Sequence, residues 1–355
     1  MQDIHIWQQR LSPLLAPPAA LYAFAVRARA ALYARKILPA WTPPAPAVCV
    51  GGLDPLARGK VMVSAWLLGW AKARGLTSAL LAPPRNATPL DMPLSVLPAT
   101  SAFECGVEAA LLAQYRPDAV ILADVNPARA GKSAWKAVRP DLFILHDHFS
   151  TLSIRRQANL TLLGVRDLDK GWNRPFPAGS WREGVKALSR ASAFVLHIWP
   201  DDLPPRRPLA ERRLGHFGKP VFTVHPRIWR LRGANGGTAQ DLGGEPYLLV
   251  AAQSNQDMAA KATRAYLGMP PRLSVIFPDS HRFTQQDQAQ IAADAARMRI
   301  PHVLATPDAA LRLETVPGHD LWTFDPDVVL GPCLMGGPAF TPWWEGLWAD
   351  LTAPD

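Results

Sequence analysis

Residues 47–82 read AVCVGGLDPLARGKVMVSAWLLGWAKARGLTSALLA, and this stretch decides the fold. Ala47-Val48-Cys49-Val50 is a short apolar run entering two glycines, the pattern of a buried strand. KVMVSAWLLGWAKARG, Lys60 to Gly75, reads as a helix closed by glycine, and LTSALLA, Leu76 to Ala82, as the next strand. Strand, loop, helix, strand is a βαβ unit, which implies a parallel sheet covered by helices. The intervening loop, VGGLDPLARGKVM from Val50 to Met62, ends in Gly59-Lys60. That is the tail of a phosphate-binding loop, in which backbone amides and a lysine hold phosphate oxygens. The next position, where such a loop carries a hydroxyl for magnesium, is Val61.

Working outward, DAVILADV (Asp118–Val125), PDLFILHDH (Pro140–His148), ANLTLLGV (Ala158–Val165) and ASAFVLHIW (Ala191–Trp199) are further apolar runs. Ligands in open α/β sheets sit beyond the carboxyl ends of the strands. Asp124, Asp147 and His148 are therefore expected on the same rim as the loop after Val50. After Trp199 the texture turns rich in proline and arginine, and a second α/β region opens at PYLLVAA (Pro246–Ala252), with LSVIFPDSH, a helix near Gln285–Met298 and HVLATPDAALRL following. The expected fold class is α/β: a phosphate-loop domain of parallel sheet over 41–200 followed by a second, smaller α/β domain over 246–345. Residues 1–40 are a basic helical region and 201–245 a linker. The tail FTPWWEGLWADLTAPD packs as a final amphipathic helix or touches lipid; the sequence does not choose.

Of 355 residues, 48% are hydrophobic, enough for a sizeable core, and the formal net charge of +9 favours anionic partners. Nucleic acid is not expected, because the basic residues do not interleave with aromatics in a recognised module. The three cysteines, Cys49, Cys105 and Cys333, show neither a disulfide framework nor zinc spacing. His146 and His148 lack partners for a metal site and are expected on the rim, facing phosphate or solvent.

No secretory signal pattern is visible. The uncharged stretch Leu11 to Val26 is broken by Pro13, Pro17 and Pro18 and is shorter than a membrane-spanning helix. LYAFAVRARAALYARKIL, Leu21 to Leu38, is apolar with interspersed Arg27, Arg29, Arg35 and Lys36. It either lies in a membrane interface with its basic groups at lipid phosphates or docks as an ordinary surface helix.

Several motifs now fall into one order. Trp7, Ser12-Pro13-Leu14, Leu21-Tyr22 and Leu32-Tyr33 open the chain. Gly51-Gly52-Leu53 and Gly59-Lys60 frame the loop. GWNRPFPAGSWREG follows, with Gly171, Arg174, Pro177-Ala178-Gly179 and Arg182-Glu183. FPDSHRFTQQD carries Phe277, Pro278, Asp279, His281, Phe283, Thr284 and Asp287, and Thr306 and Leu313 close the series. In these blocks the sequence resembles the tetraacyldisaccharide 4'-kinase family, which phosphorylates a lipid A precursor, over nearly the whole chain.

The resemblance implies transfer of the γ-phosphoryl of ATP to the 4'-hydroxyl of an acylated glucosamine disaccharide. The cleft would lie between two α/β domains and the N-terminal helix on the cytoplasmic face of the bacterial inner membrane. On the kinase reading ATP contacts Gly51, Gly52, Gly59 and Lys60, with Arg58 as a second cation beside the lysine; Asp147 holds Mg²⁺, and Asp279, His281 or Glu108, the neighbour of the family's base position, helps the hydroxyl lose its proton. Arg182 and Glu183 are expected as a structural or substrate-orienting pair. The chain departs from the family pattern at Leu56 and Ala57, where the family has glycine, and at Val61 and Val107, in place of the magnesium-binding threonine and the carboxylate base. It departs again at His146 and His148 and at PPRN, Pro83 to Asn86. The alternative is a catalytically impaired relative that binds lipid or a partner.

Overall fold

The computed structural model describes residues 12–87, 91–279, 281–313 and 315–353; Trp7 lies outside them. The βαβ unit is present: β1 (Ala47–Gly51), a helix over Lys60–Ala73 and β2 (Ser78–Ala82), both strands buried at every position. Continuous apolar runs without alternation are what a parallel sheet covered on both faces demands. In chain order there follow β3 (Leu94–Ser95), β4 (Val120–Ala123), β5 (Leu142–His146), β6 (Ala158–Gly164), β7 (Ala193–His197), β8 (Val221–Gly233) and β9 (Thr238–Ala239). The last four strands are β10 (Tyr247–Ala252), β11 (Leu273–Phe277), β12 (His302–Ala305) and β13 (Asp320–Leu330).

All belong to one sheet in the order β11-β10-β12-β13-β8-β7-β6-β1-β5-β2-β4-β3, with β9 paired to β8. β1 lies between β5 and β6, parallel to both, so Val50 stands opposite His146 on one side and Leu160 on the other. The phosphate-loop candidate thus springs from the middle of the first half, at the carboxyl ends of its strands.

Segment 201–245, expected as linker, is structural. It contains a helix over Arg207–Leu214 and the 13-residue β8. β8 begins parallel to β7 at Val221–Val224 and continues antiparallel to β13, with a register irregularity at Asp325/Pro326. This pair of strands joins the two halves. The strand was hidden because Pro226 and Arg227, Arg230 and Arg232 interrupt its apolar pattern.

The tryptophan-rich tail is core. The helix Phe340–Thr352 buries Trp344 completely and sets it edge-on to Trp70 at 5.3 Å, while Phe340 meets Trp66 at 5.1 Å. Both partners lie on the Lys60–Ala73 helix, in its middle and its carboxyl-terminal half. The N-terminal helix runs Ser12–Ala34, straight through Pro17 and Pro18. It docks through buried Ala19, an Arg29 Nη2 bond to Ser150 O at 3.1 Å and Tyr22 packed edge-on to Phe176. Among the described residues no helix is long and apolar enough to cross a membrane.

Candidate functional site

Two glycines set the loop's path. A Cβ on Gly52 would lie 2.6 Å from Leu162 O. Gly59 has φ +92° and a Cβ there would meet Leu162 and His197 side chains at 3.0 and 3.2 Å; only glycine takes this left-handed, crowded position without strain. The apex between them is tied to itself. Asp54 accepts the Leu56 N–H at 2.8 Å on its carboxylate and the Ala57 N–H at 3.1 Å on its carbonyl. Ser180 donates to the same carboxylate at 2.6 Å, and the Arg182 N–H bonds Leu53 O at 2.8 Å, so the 177–183 block buttresses the loop. The Leu56 and Ala57 amides are therefore occupied, which leaves the loop's carboxyl end, residues 58–61 at the helix N-terminus, as the part with the chemistry to take an anion.

Lys60 is fully buried. Its ammonium donates to Pro55 O at 2.8 Å and Asp147 Oδ1 at 2.9 Å, with Glu108 Oε1 at 3.7 Å. Burial pulls it down to about 8, Glu108 works the other way, and Arg85 and Arg58 add to the depression. Asp147, at left-handed φ +56°, has its N–H on Val50 O at 2.7 Å. That backbone turn brings its carboxylate under the loop, where it also accepts from Arg182 at 3.3 Å and pairs with Arg85.

Glu108, second in the helix Val107–Tyr115, is 29% exposed at its side chain and faces His146 Nε2 at 3.3 Å. Burial alone would raise its carboxyl, but Lys60 and the bond with His146 outweigh that and hold it well below the usual carboxylate range. His146 and His148 are both buried, not on a solvated rim. The cause is the Phe149 turn and the helices packed over β5. His148 bonds Thr151 at 3.2 Å and burial pushes it down to about 3, so it is neutral.

Arg58 crosses to the second half. It donates to Ser254 Oγ at 2.8 Å, pairs with Asp279 and lies 3.8 Å from Asp308. The cleft beneath holds two cavities. One, about 110 Å³, is bounded by Gly59, Lys60, Glu108, His197, Asn255 and Phe324. The other, about 140 Å³, is bounded by Leu56, Arg85, Phe103, Glu108, Asp279 and Arg312.

The structure thus brings Arg58, Gly59, Lys60, Glu108 and Asp279 together on one cleft, with Asp147 buried behind Lys60 and Gly51 and Gly52 shaping the loop's entry. Others fall elsewhere. Asp124 takes Arg129 in two bonds of 2.7 Å. His281 bonds Asp287 at 3.0 Å and stacks on Phe277, apart from Asp279. Arg182 and Glu183 do not pair: Glu183 holds Arg190 at 2.6 Å, because adjacent residues there point to opposite sides of the loop. Sequence reasoning missed Ser64, Arg85, His197 and Asp308 as parts of the site. Arg85 carried a signal, since it follows β2 at the same strand end as the loop.

The donor set does not fit a magnesium ion held by the chain itself. Asp147 is engaged by Lys60, Arg85 and Arg182, and residue 61 is valine, so neither offers a free oxygen to the ion.

The family model of tetraacyldisaccharide-1-P 4'-kinase matches residues 11–334. A tetraacyldisaccharide 4'-kinase of Nitratidesulfovibrio vulgaris is 34% identical over 345 residues, 97% of this chain and 96% of its own length. One from Oleidesulfovibrio alaskensis is 34% identical over 357 residues, 97% of both. The crystal structure of LpxK from Aquifex aeolicus in complex with ATP matches at a TM-score of 0.71 over 97% of this chain and 100% of that one; at 21% identity it shows a shared fold. With its loop, cleft and ordered motifs accounted for, this chain belongs to the tetraacyldisaccharide-1-P 4'-kinase family.

Proposed function

We propose that the protein transfers the γ-phosphoryl group of ATP to the 4'-hydroxyl of an acylated glucosamine disaccharide, the lipid A precursor, at the cytoplasmic face of the bacterial inner membrane. One observation carries the reading: the buried Lys60 ammonium, at the start of the helix after β1, stands between the loop carbonyl of Pro55 and Asp147 at the floor of a cleft made by both halves. Phosphoryl transfer asks a protein for positioning and charge stabilisation above all. Lys60, Arg58 and the residue 59–61 backbone would hold the β- and γ-phosphates, Lys60 exchanging Pro55 O for phosphate oxygen. Gly51 and Gly52 keep the loop close to the sheet.

Asp147 fixes Lys60, Arg85 and Arg182 in place. Asp279, across the cleft on Arg58, faces the acceptor side; His281 shapes that segment through Asp287. We place Mg²⁺ with the triphosphate and its waters, not on ligands of the chain. The ATP complex of the Aquifex relative and the names of the curated relatives support this reading.

The N-terminal helix supports a peripheral membrane position. Leu14, Leu21 and Phe24 recur at a spacing that shares one helix face and are 75%, 70% and 63% exposed, with Arg27, Arg35 and Lys36 nearby.

The test is direct. Purified protein with ATP, Mg²⁺ and the acylated disaccharide is expected to yield the 4'-phosphorylated lipid. No product, under conditions where a relative with an intact loop hydroxyl gives one, ends the proposal in favour of a binding protein.

A further inference from the structure

The kinase reading asks for a group at the cleft that can receive the acceptor's proton. We propose that Glu108 is that base and that His146, clamped by Ser64, is the residue that positions it; this rests on the kinase reading above. Glu108 uses its two oxygens separately: Oε2 lies 3.3 Å from His146 Nε2 and Oε1 lies 3.7 Å from Lys60 Nζ. The other ring nitrogen of His146, Nδ1, is 2.9 Å from Ser64 Oγ. Ser64 and His146 are completely buried, so neither meets substrate. One tautomer satisfies both contacts: Ser64 donates to Nδ1, and Nε2–H donates to Glu108. A reactive group held by a second group that a third orients is the recurring arrangement of activated acids and bases.

Ser64 lies one helical turn beyond Lys60, and His146 ends β5 directly before Asp147. Only Glu108 of the three reaches the cleft, where it bounds both cavities. A phosphoryl group held by Lys60 therefore sits beside Glu108, while a sugar hydroxyl approaching from the Arg85–Asp279 side meets the same carboxylate. Lys60 and the first turn of a helix keep Glu108 ionised before the reaction; a phosphate at Lys60 offsets the ammonium's charge and so raises the carboxylate's affinity for a proton.

In the step, the acceptor oxygen bonds to the γ-phosphorus as its proton passes to Glu108. The bond from that phosphorus to the bridging oxygen breaks, and ADP leaves with the electron pair. Glu108 then returns the proton to water at its exposed edge.

The experiment compares the full chain with Glu108→Gln, His146→Ala, His146→Gln and Ser64→Ala, measuring kcat, KM for the disaccharide, ATP affinity and thermal unfolding. General-base loss predicts a fall in kcat of about 10²- to 10³-fold for Glu108→Gln without weaker ATP binding. His146→Ala is expected to lose at least tenfold in kcat at unchanged KM, and His146→Gln, which keeps an N–H for Glu108, to recover most of it. Ser64→Ala, removing one oxygen, is expected to lower kcat severalfold and carries the test alone if His146→Ala does not fold. Wild-type kcat in Glu108→Gln overturns the base while leaving the kinase reading intact. Equal kcat in the two His146 variants, or wild-type kcat in Ser64→Ala, overturns the positioning role. A wild-type chain that makes no product overturns the kinase reading and this inference together.

Discussion

The Lys60 ammonium lies 2.9 Å from the Asp147 carboxylate, with both side chains sealed from solvent. Because Asp147 also holds Arg85 and Arg182, it does not depend on Lys60 for charge balance, and Lys60 is free to turn toward a phosphate. Lys60→Met should therefore fold: the loss is smaller than the ~3–5 kcal/mol of leaving a buried charge alone, since two guanidiniums remain. ATP affinity should fall at least tenfold, equivalent to about 1.4 kcal/mol. Calorimetric titration of wild type and variant checks this, and equal dissociation constants would remove Lys60 from the nucleotide site.

The same lysine sets a pH window. Its folded value is lowered from 10.5 to about 8, so between those values the unfolded chain binds more protons than the folded one. Stability from this group therefore rises with pH across that window. Nucleotide binding has the opposite sign, because a phosphate favours the charged ammonium. ATP affinity should be flat below pH 8 and weaken above it by up to about tenfold per pH unit, with uptake of one proton on binding. Lys60→Met should bind weakly at every pH with no such slope; a slope that persists in the variant assigns the titration to another group.

The core βαβ unit was legible because its signals are local: an apolar run, glycines, a lysine and a glycine-closed helix lie within 36 consecutive residues, 47–82. The cleft was legible only in part. Ser64 is an ordinary hydroxyl within a helix until the pairing of β1 with β5 sets His146 beside it. Asp308 and Asp279 become partners of Arg58 only after β8 and β13 have joined the halves. Arg182 and Glu183 are expected as a pair within the GWNRPFPAGSWREG block, yet the loop turns them to Asp147 and Arg190 respectively. Such facts depend on long-range pairing, which no periodicity records.

Arg58 reaches from the loop to Asp279 and Asp308 of the second half. It links the nucleotide loop to the opposite wall, so the two walls should report on each other energetically. A double-mutant cycle with Arg58→Ala and Asp279→Asn, read in denaturant unfolding, should give a coupling of about 0.5–3 kcal/mol, the range for contacting residues. The guanidinium is 29% exposed, which places the expected value toward the lower end because solvent screens the pair. ATP at saturation should reduce the coupling as phosphate competes for Arg58. Strict additivity in the absence of nucleotide would show that the bridge does not contribute.

Leu14, Leu21 and Phe24 expose one apolar face of the N-terminal helix while Ala19 on the opposite face is buried against the protein. An apolar face of this size does not stabilise the helix by contact with its own chain, and its basic neighbours, Arg27, Arg35 and Lys36, match an anionic lipid surface. Burial of each large side chain in the interface contributes about 1.5–3 kcal/mol at full burial, and each nearby basic residue about 1 kcal/mol on an anionic membrane. Replacing Leu21 and Phe24 together by glutamate should abolish sedimentation with vesicles containing anionic lipid. The same change should leave the thermal unfolding midpoint within a few degrees, because neither side chain is buried in the fold. On substrate presented in vesicles the apparent KM should rise more than kcat falls. Unchanged vesicle binding in the double variant would show that this face is not the membrane contact.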